Sequence, residues 1–166
     1  MKEHFLLALA LALTFMSWLP LHPAEAEEPV TPASLVPCPY TPEEIEAALG
    51  VKVNPGEAAD MEFPAGRDVG CLYQVVGGST TIAVRQTWDP TGSISSPQSA
   101  TKKGKPEPIP GDPDGASWNV GGGKDDEPQL ELSYKRGKVQ TRFLIHGRSF
   151  RETEMQPKVL KLKRVP

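Results

Sequence analysis

Cys38 and Cys71 are the two cysteines of this 166-residue chain, and their chemistry is the easiest to predict. Their spacing is far from the Cys-x-x-Cys pattern of redox and zinc sites, which argues against a reactive thiol pair or a metal site. A bond between them would close a loop whose chain entropy is worth about 4 kcal/mol of stability. We therefore predict a structural Cys38–Cys71 disulfide.

Histidine, the usual catalytic base and metal ligand, is scarce in this chain. His4 and His22 lie in the N-terminal segment that is predicted below to be removed, so His146 alone would remain. His146 has no Gly-x-Ser-x-Gly or His-Glu-x-x-His pattern beside it and is predicted to be an exposed turn residue. We predict no catalytic residue, no metal and no cofactor.

Carboxylates are the remaining route to metal or acid–base chemistry. Residues 111–115 (GDPDG) resemble the start of a calcium loop but lack its distal glutamate, and the same residue types favour a turn. Residues 121–124 (GGGK) lack the spacing of a phosphate-binding loop. A glycosidase needs two carboxylates that converge on a cleft, and the sequence leaves that alternative open.

Basic residues are concentrated in the last fifth of the chain, where Glu152 and Glu154 are the only acidic residues after position 134. Such a region would bind an anionic surface, or would simply form a solvated face, although the net charge of the whole chain is −3. We predict no nucleic-acid partner. The basic residues that would form this surface are Lys135, Arg136, Lys138, Arg142, Lys158, Lys161, Lys163 and Arg164.

Two tryptophans, Trp88 and Trp118, lie in β-like segments near predicted loops. A tryptophan at the end of a strand can line a ligand pocket, and it can also close the end of a core. Both are kept as candidate ligand contacts, together with Lys135, Arg136, Lys138 and Arg142.

Among the secondary-structure elements of the chain, the helix predicted over residues 42–49 has the clearest sequence pattern. Thr41 is a good N-cap, Pro42 fits the first helical position, and Glu44 completes a capping box. Gly50 suits the left-handed position after the last turn.

Strands are predicted from the alternation of apolar and polar residues. Gly77 and Gly78 separate two such segments and predict a hairpin. Two segments, 54–68 and 89–114, are predicted to be largely irregular, and the second of them contains a predicted short helix within 96–103. The C-terminal segment 152–165 is predicted to be either a helix or an extended segment. The predicted strands are 69–76, 79–88, 116–120, 129–134 and 139–145.

These elements predict an α+β fold, with an antiparallel sheet of about five strands, one to three helices packed on it, and one disulfide. With 18 Pro and 15 Gly, many turns are expected. Residues 38–166 would form the single domain, and 27–37 an extended linker.

The N-terminal 26 residues have the layout of a secretory signal peptide. An apolar stretch at 5–19 follows Lys2, and Ala24-Glu25-Ala26 is typical of a cleavage site. The apolar stretch is shorter than the roughly 18 to 20 residues of a membrane span, so no permanent span is predicted. A periplasmic or secreted location follows, with cleavage after Ala26, and retention as an anchor is left open.

Residues 38–50 (CPYTPEEIEAALG), with Gly70-Cys71-Leu72-Tyr73, resemble small exported bacterial domains of unknown function, including some actinobacterial lipoproteins. Residues 110–118 are similar to a Pro-Gly-Asp…Ala-x-Trp element of that pattern. The resemblance implies an α/β/α sandwich of the Mog1/PsbP type and transfers no catalytic residue.

We expect a non-enzymatic exported domain that binds an unknown protein or cell-envelope component. Two alternatives stay open, a carboxylate-based hydrolase acting on envelope glycans and a domain that binds anionic surfaces through the basic C-terminal region.

Overall fold

The computed structural model describes residues 31–64, 66–91, 106–122 and 127–166. Within them, seven strands form one antiparallel sheet in the order β1-β2-β3-β7-β6-β5-β4. Helices α1 and α2 complete the fold, which is α+β as predicted. The strands are β1 Glu57–Phe63, β2 Gly66–Gln74, β3 Thr81–Trp88, β4 Glu107–Pro108, β5 Ser117–Gly122, β6 Pro128–Arg136 and β7 Val139–His146, and the helices are α1 Pro42–Leu49 and α2 Glu152–Val159.

The predicted number of about five strands is wrong, because β1 and β4 form in segments predicted to be irregular. All seven residues of β1 are exposed, so its sequence carries no alternation of buried and exposed positions. The strand forms by pairing with β2, from Glu57 opposite Leu72 to Phe63 opposite Gly66. β1 therefore depends on a neighbouring strand rather than on its own sequence pattern.

Helix α1 forms where it was predicted, with the predicted caps. Thr41 Oγ1 accepts a hydrogen bond from the Glu44 backbone N–H at 3.3 Å, and Glu44 Oε2 accepts one from the Thr41 N–H at 2.8 Å. Gly50 ends the helix at φ 75°, in the left-handed region that glycine adopts without strain. Local residues alone fix both ends of this helix.

One face of the sheet, here called the core face, packs against both helices. Strand alternation places Tyr73, Ile82, Phe143 and Ile145 on this face, and all four are buried. The helices contribute four further buried side chains to the same cluster. These are Ile45, Leu49, Met155 and Val159.

The contacts that hold the segment before α1 against the core face include a disulfide and the apolar packing of Leu35. The predicted disulfide between Cys38 and Cys71 is present. Leu35 is buried against Val69 and Val139, so this part of the predicted linker packs on the sheet.

The C-terminal segment, for which helix and extended chain were both open, contains both. After α2 it continues as a tail that lies along the core face. The Gln86 amide and the Thr141 hydroxyl each donate a hydrogen bond to the backbone oxygen of Pro166 at 2.7 Å. The Tyr134 hydroxyl donates to the Val165 carbonyl at 3.1 Å and accepts from its N–H at 3.0 Å.

The two edges of the sheet are β1 and β4. The β1 edge carries Glu57, Asp60 and Glu62, and the Arg67 guanidinium on β2 pairs with Asp60 at 2.6 Å. The β4 edge has two strand residues, one of which is Pro108.

The predicted signal peptide (1–26) and the predicted short helix (96–103) lie outside the described residues. No helix within the described ranges is long and apolar enough to cross a membrane.

Candidate functional site

The side chains that alternate with the core positions form the opposite face of the sheet, here called the polar face. Its centre is a row that crosses four strands. Arg85 of β3 lies directly opposite Arg142 of β7, and Ser133 of β6 follows on the other side of Arg142. Ser117 of β5 is next, with its Oγ 3.2 Å from that of Ser133. Two guanidinium groups and two hydroxyl groups therefore lie side by side.

Arg85 is held in place by Asp68 on β2. Its Nε donates to both carboxylate oxygens, at 2.8 Å and 2.7 Å, and its Nη2 donates to Oδ2 as well. These hydrogen bonds raise the pKa of Arg85. The Asp68 side chain is 7% exposed and that of Arg85 is 51% exposed, so the guanidinium is anchored on one side and open to solvent on the other.

Arg142 has no such anchor. Among the residues that the structure describes, no carboxylate oxygen lies within 4.0 Å, the limit for an ion pair, of a guanidinium nitrogen of Arg142. Burial lowers the pKa of Arg142; the charge of Glu131 acts in the opposite direction, and the charge of Arg85 adds to the lowering. Like charges that face each other across two strands destabilise a sheet. The Arg85–Arg142 pair therefore brings two cations together, and the carboxylates of Asp68 and Glu131 offset part of their repulsion.

Glu131 and Asn119 lie beside this row, opposite each other on β6 and β5, and both are buried. Asn119 Nδ2 donates to Glu131 Oε1 at 3.3 Å, whereas Asn119 Oδ1 is buried with no hydrogen-bond partner within the described ranges. Burial raises the pKa of Glu131, and Arg142 and the bond from Asn119 lower it in part. Polar groups at this point are close together and incompletely paired.

An apolar groove adjoins the arginine pair over strands β1 to β3. Its volume is about 300 Å³, and Met61, Leu72 and Ala83 line it together with Asp68 and Arg85. Met61 is 58% exposed, and Leu72 is also an exposed large apolar side chain. The groove and the half-exposed Arg85 thus place an apolar surface and a cation next to each other.

The predicted basic surface is divided between different parts of the fold. Of the four candidate contacts, Lys135 and Arg142 lie on the polar face, and Lys138 is exposed in the turn between β6 and β7. Arg136 pairs with Asp114, with 3.0 Å between Nε and Oδ2.

A second arginine, Arg164 of the C-terminal tail, pairs through Nη2 with Asp112 Oδ2 at 2.7 Å, and its guanidinium carbon lies 4.4 Å from the centre of the Tyr134 ring. Asp112 Oδ1 accepts from the backbone N–H groups of Asp114 and Ala116. Residues 111–115 therefore form a turn whose carboxylates bind arginines. Within the described part of the chain, no group of three or more His, Cys, Asp or Glu side chains is placed to hold a metal ion.

The two candidate tryptophans pack against apolar residues. Trp118 is buried in the core cluster, opposite Leu132. Trp88 is half-buried against the group formed by Leu35, Val69 and Val139.

His146 is the last residue of β7 rather than a turn residue, and it lies on the polar face opposite Gln129. Its Nε2 is 3.6 Å from a carboxylate oxygen of Glu127, which also pairs with Arg148 at 3.1 Å. The structure thus places the remaining histidine at a partly exposed strand end.

Sequence reasoning named Arg142 but missed Asp68, Arg85, Glu131 and Asn119. The available signal was a charged or amide side chain at every second position of otherwise apolar strands, which marks one face but does not say which strands are neighbours. Comparisons of the chain with known protein families, with curated proteins and with solved structures gave no significant match.

Proposed function

We propose that this protein is an exported, disulfide-bonded and non-enzymatic binding domain whose ligand occupies the polar face. The ligand is a cell-envelope component that joins an apolar chain to a carboxylate or phosphate group. The observation that carries this proposal is the Arg85–Arg142 pair beside an apolar groove.

The anionic group of the ligand would sit between the two guanidinium groups. Arg85 is already oriented by Asp68, so little side-chain freedom is lost when it donates a further hydrogen bond. Arg142 has donors that no described carboxylate occupies. Hydrogen bonds from arginine to an anion are roughly twice as strong as neutral ones, and the anion also reduces the repulsion between the two cations.

The apolar part of the ligand would cover Met61 and Leu72 in the groove. Apolar surface removed from water contributes about 25 cal/mol for each Å². Met61 adds adaptability, because its unbranched thioether side chain fits irregular apolar shapes. The groove supplies affinity, and the arginine pair supplies selectivity for the charged end.

Export is supported by two features. The first 26 residues have the layout of a signal peptide, and disulfides persist mainly in oxidising compartments such as the periplasm or the cell exterior. The sequence resemblance to exported bacterial domains agrees with both.

The proposal is tested with octanoate, which carries an apolar chain and a carboxylate, and with acetate, which carries the carboxylate alone. Titrations followed by NMR of the disulfide-intact secreted protein should show octanoate binding at least tenfold tighter than acetate, with shifts at Arg85, Arg142 and Leu72. Arg142→Gln should weaken octanoate binding at least tenfold, or about 1.4 kcal/mol.

Lys138→Gln is the matched control, because it removes the same charge from an exposed turn and should leave octanoate binding unchanged. Equal losses in the two variants would mean that overall basic charge, not the polar face, attracts the anion. Octanoate binding that Arg142→Gln does not change would overturn the proposal.

A second candidate function is a carboxylate-based hydrolase acting on envelope glycans. One observation favours it: Glu131 is a buried carboxyl whose pKa is raised, the property of a general acid. Turnover of glycan substrates that Glu131→Gln abolishes, while the circular dichroism spectrum stays unchanged, would establish it over the binding function.

A further inference from the structure

The outer edge of β1 is built differently from the other edge of the sheet. Strand β4 has two residues, and one of them is Pro108, which has no N–H to offer another strand. Strand β1 has seven residues and contains no proline. All seven are exposed, and each lies opposite a residue of β2 in an unbroken register. β1 is therefore long and regular enough to accept a further strand.

Backbone groups are available along this edge. The N–H and C=O groups of a strand point alternately to its two sides, and β2 occupies one side of β1. Within the described ranges, no strand lies on the other side. Every second residue of β1 therefore directs its backbone N–H and C=O groups outward, where a strand of another molecule can pair with them.

The side chains of β1 that share the polar-face side are mostly apolar. Met61 lies opposite Asp68 of β2, and Phe63 lies opposite Gly66, so both point to this side of the sheet. Both are exposed large apolar side chains. An added strand would remove part of their surface from water if its own side chains on this side were apolar.

The side chains on the other side of β1 are acidic. Asp60 pairs with Arg67, whereas no Lys or Arg nitrogen of the described residues lies within 4.0 Å, the limit for an ion pair, of the Glu62 carboxylate. Opposite charges that face each other across two strands stabilise the pairing, and like charges oppose it. This side of β1 therefore favours a basic strand over an acidic one.

We propose that β1 binds an extended basic segment of another protein, which joins the sheet as a further strand. In that segment lysine or arginine alternates with apolar residues. The cations would then lie beside Asp60 and Glu62, and the apolar side chains beside Met61 and Phe63. Backbone hydrogen bonds supply affinity and the alternating side chains supply selectivity. This docking takes place at the sheet edge and does not depend on the function proposed for the polar face.

The test uses a peptide that alternates lysine and valine and matches the seven residues of β1 in length. Its titration into the disulfide-intact protein, followed by NMR, should shift the β1 amide signals and slow their hydrogen exchange. A second peptide with glutamate in place of lysine keeps the valines and the backbone groups. It should bind about tenfold more weakly, because its charges are repelled by the edge.

A third peptide separates backbone pairing from charge attraction alone. It keeps the alternating lysine and valine but carries a methyl group on every backbone nitrogen. Its charge is unchanged, yet it has no N–H donor, and the methyl groups obstruct close approach along both of its edges. It should also bind about tenfold more weakly than the unmethylated peptide.

Glu62→Gln tests the edge on the protein itself, because it removes one carboxylate with little change of side-chain size. It should weaken binding of the lysine–valine peptide about threefold. Glu46→Gln is the matched control: Glu46 is exposed on α1, away from the edge, so this variant should bind the peptide like wild type.

Three results would overturn the proposal. They are equal binding of the lysine and glutamate peptides, undiminished binding of the methylated peptide, and equal losses in the Glu62→Gln and Glu46→Gln variants. Arg142→Gln should bind the lysine–valine peptide at least as tightly as wild type, although it should lose octanoate binding. Failure at this edge would therefore be distinguishable from failure at the polar face.

Discussion

The two faces of this sheet are made by the same strands, yet they differ in almost every physical property. On β7, Phe143 and Ile145 are buried in the apolar core, whereas Arg142 between the strands β3 and β6 has no carboxylate within ion-pair distance in the described residues. The core face is closed by two helices, a disulfide and the C-terminal tail. The contacts that stabilise the fold are therefore concentrated on the core face, and the incompletely paired polar groups Arg142 and Asn119 lie on the polar face.

The difference shows how a small domain can place the residues that stabilise the fold on one face of a sheet and leave the other face free to carry charged side chains. Because the interior is close-packed, a change in the volume of a buried side chain lowers the stability of the fold, so few substitutions are tolerated on the core face. The polar face tolerates a repulsive arginine pair because the other face supplies the free energy of folding. Changes made on the two faces should accordingly affect different measurements.

Removing the disulfide should have the largest effect on stability. We expect Cys38→Ala combined with Cys71→Ala to lower the free energy of unfolding by about 4 kcal/mol, because the unfolded chain is no longer constrained by the closed loop. Urea denaturation followed by circular dichroism measures the change. A loss below about 1 kcal/mol would show that the core face is held mainly by its apolar contacts.

A paired truncation compares the two faces directly. Ile145→Ala should cost about 3 kcal/mol, because Ile145 is buried and its removal leaves a cavity. Leu72→Ala removes an exposed side chain from the polar face and should cost less than about 1 kcal/mol. Both values come from the same denaturation experiment, and similar losses would contradict the division of roles between the faces.

Glu131→Gln should have the smallest effect, and the effect should depend on pH. A carboxyl with a raised pKa binds its proton more tightly in the folded chain, so its contribution to stability is full at acid pH and is lost as the pH rises through the folded-state pKa. Glutamine does not titrate and still accepts a hydrogen bond from Asn119.

The melting temperatures of wild type and Glu131→Gln should therefore agree best below about pH 4. The variant should become relatively more stable toward neutral pH. A difference in melting temperature that stays the same from about pH 4 to neutral pH would mean that Glu131 does not titrate in that range.

Elements with purely local signals could be predicted from the sequence. The capping box of Thr41 and Glu44 and the glycine at position 50 fix α1 at both ends. The Gly77-Gly78 turn predicted the hairpin of β2 and β3, and the two cysteines predicted their own pairing.

The missed features depend on which strands become neighbours. β1 has no buried residue, so no periodicity marks it before β2 is in place. Arg85 and Arg142 are far apart in sequence and meet because β3 pairs with β7. No local pattern contains that register, so the arginine pair could not be found from the sequence.

The acidic β1 edge has a consequence for how copies of this protein behave toward each other. An edge strand exposes backbone groups that can pair with a strand of another molecule, which is the first step of aggregation. Glu57, Asp60 and Glu62 line this edge, so two copies approaching edge to edge would bring carboxylates together. The seven-stranded sheet thus carries its own protection against polymerisation, and that protection weakens as salt screens the repulsion between the carboxylates.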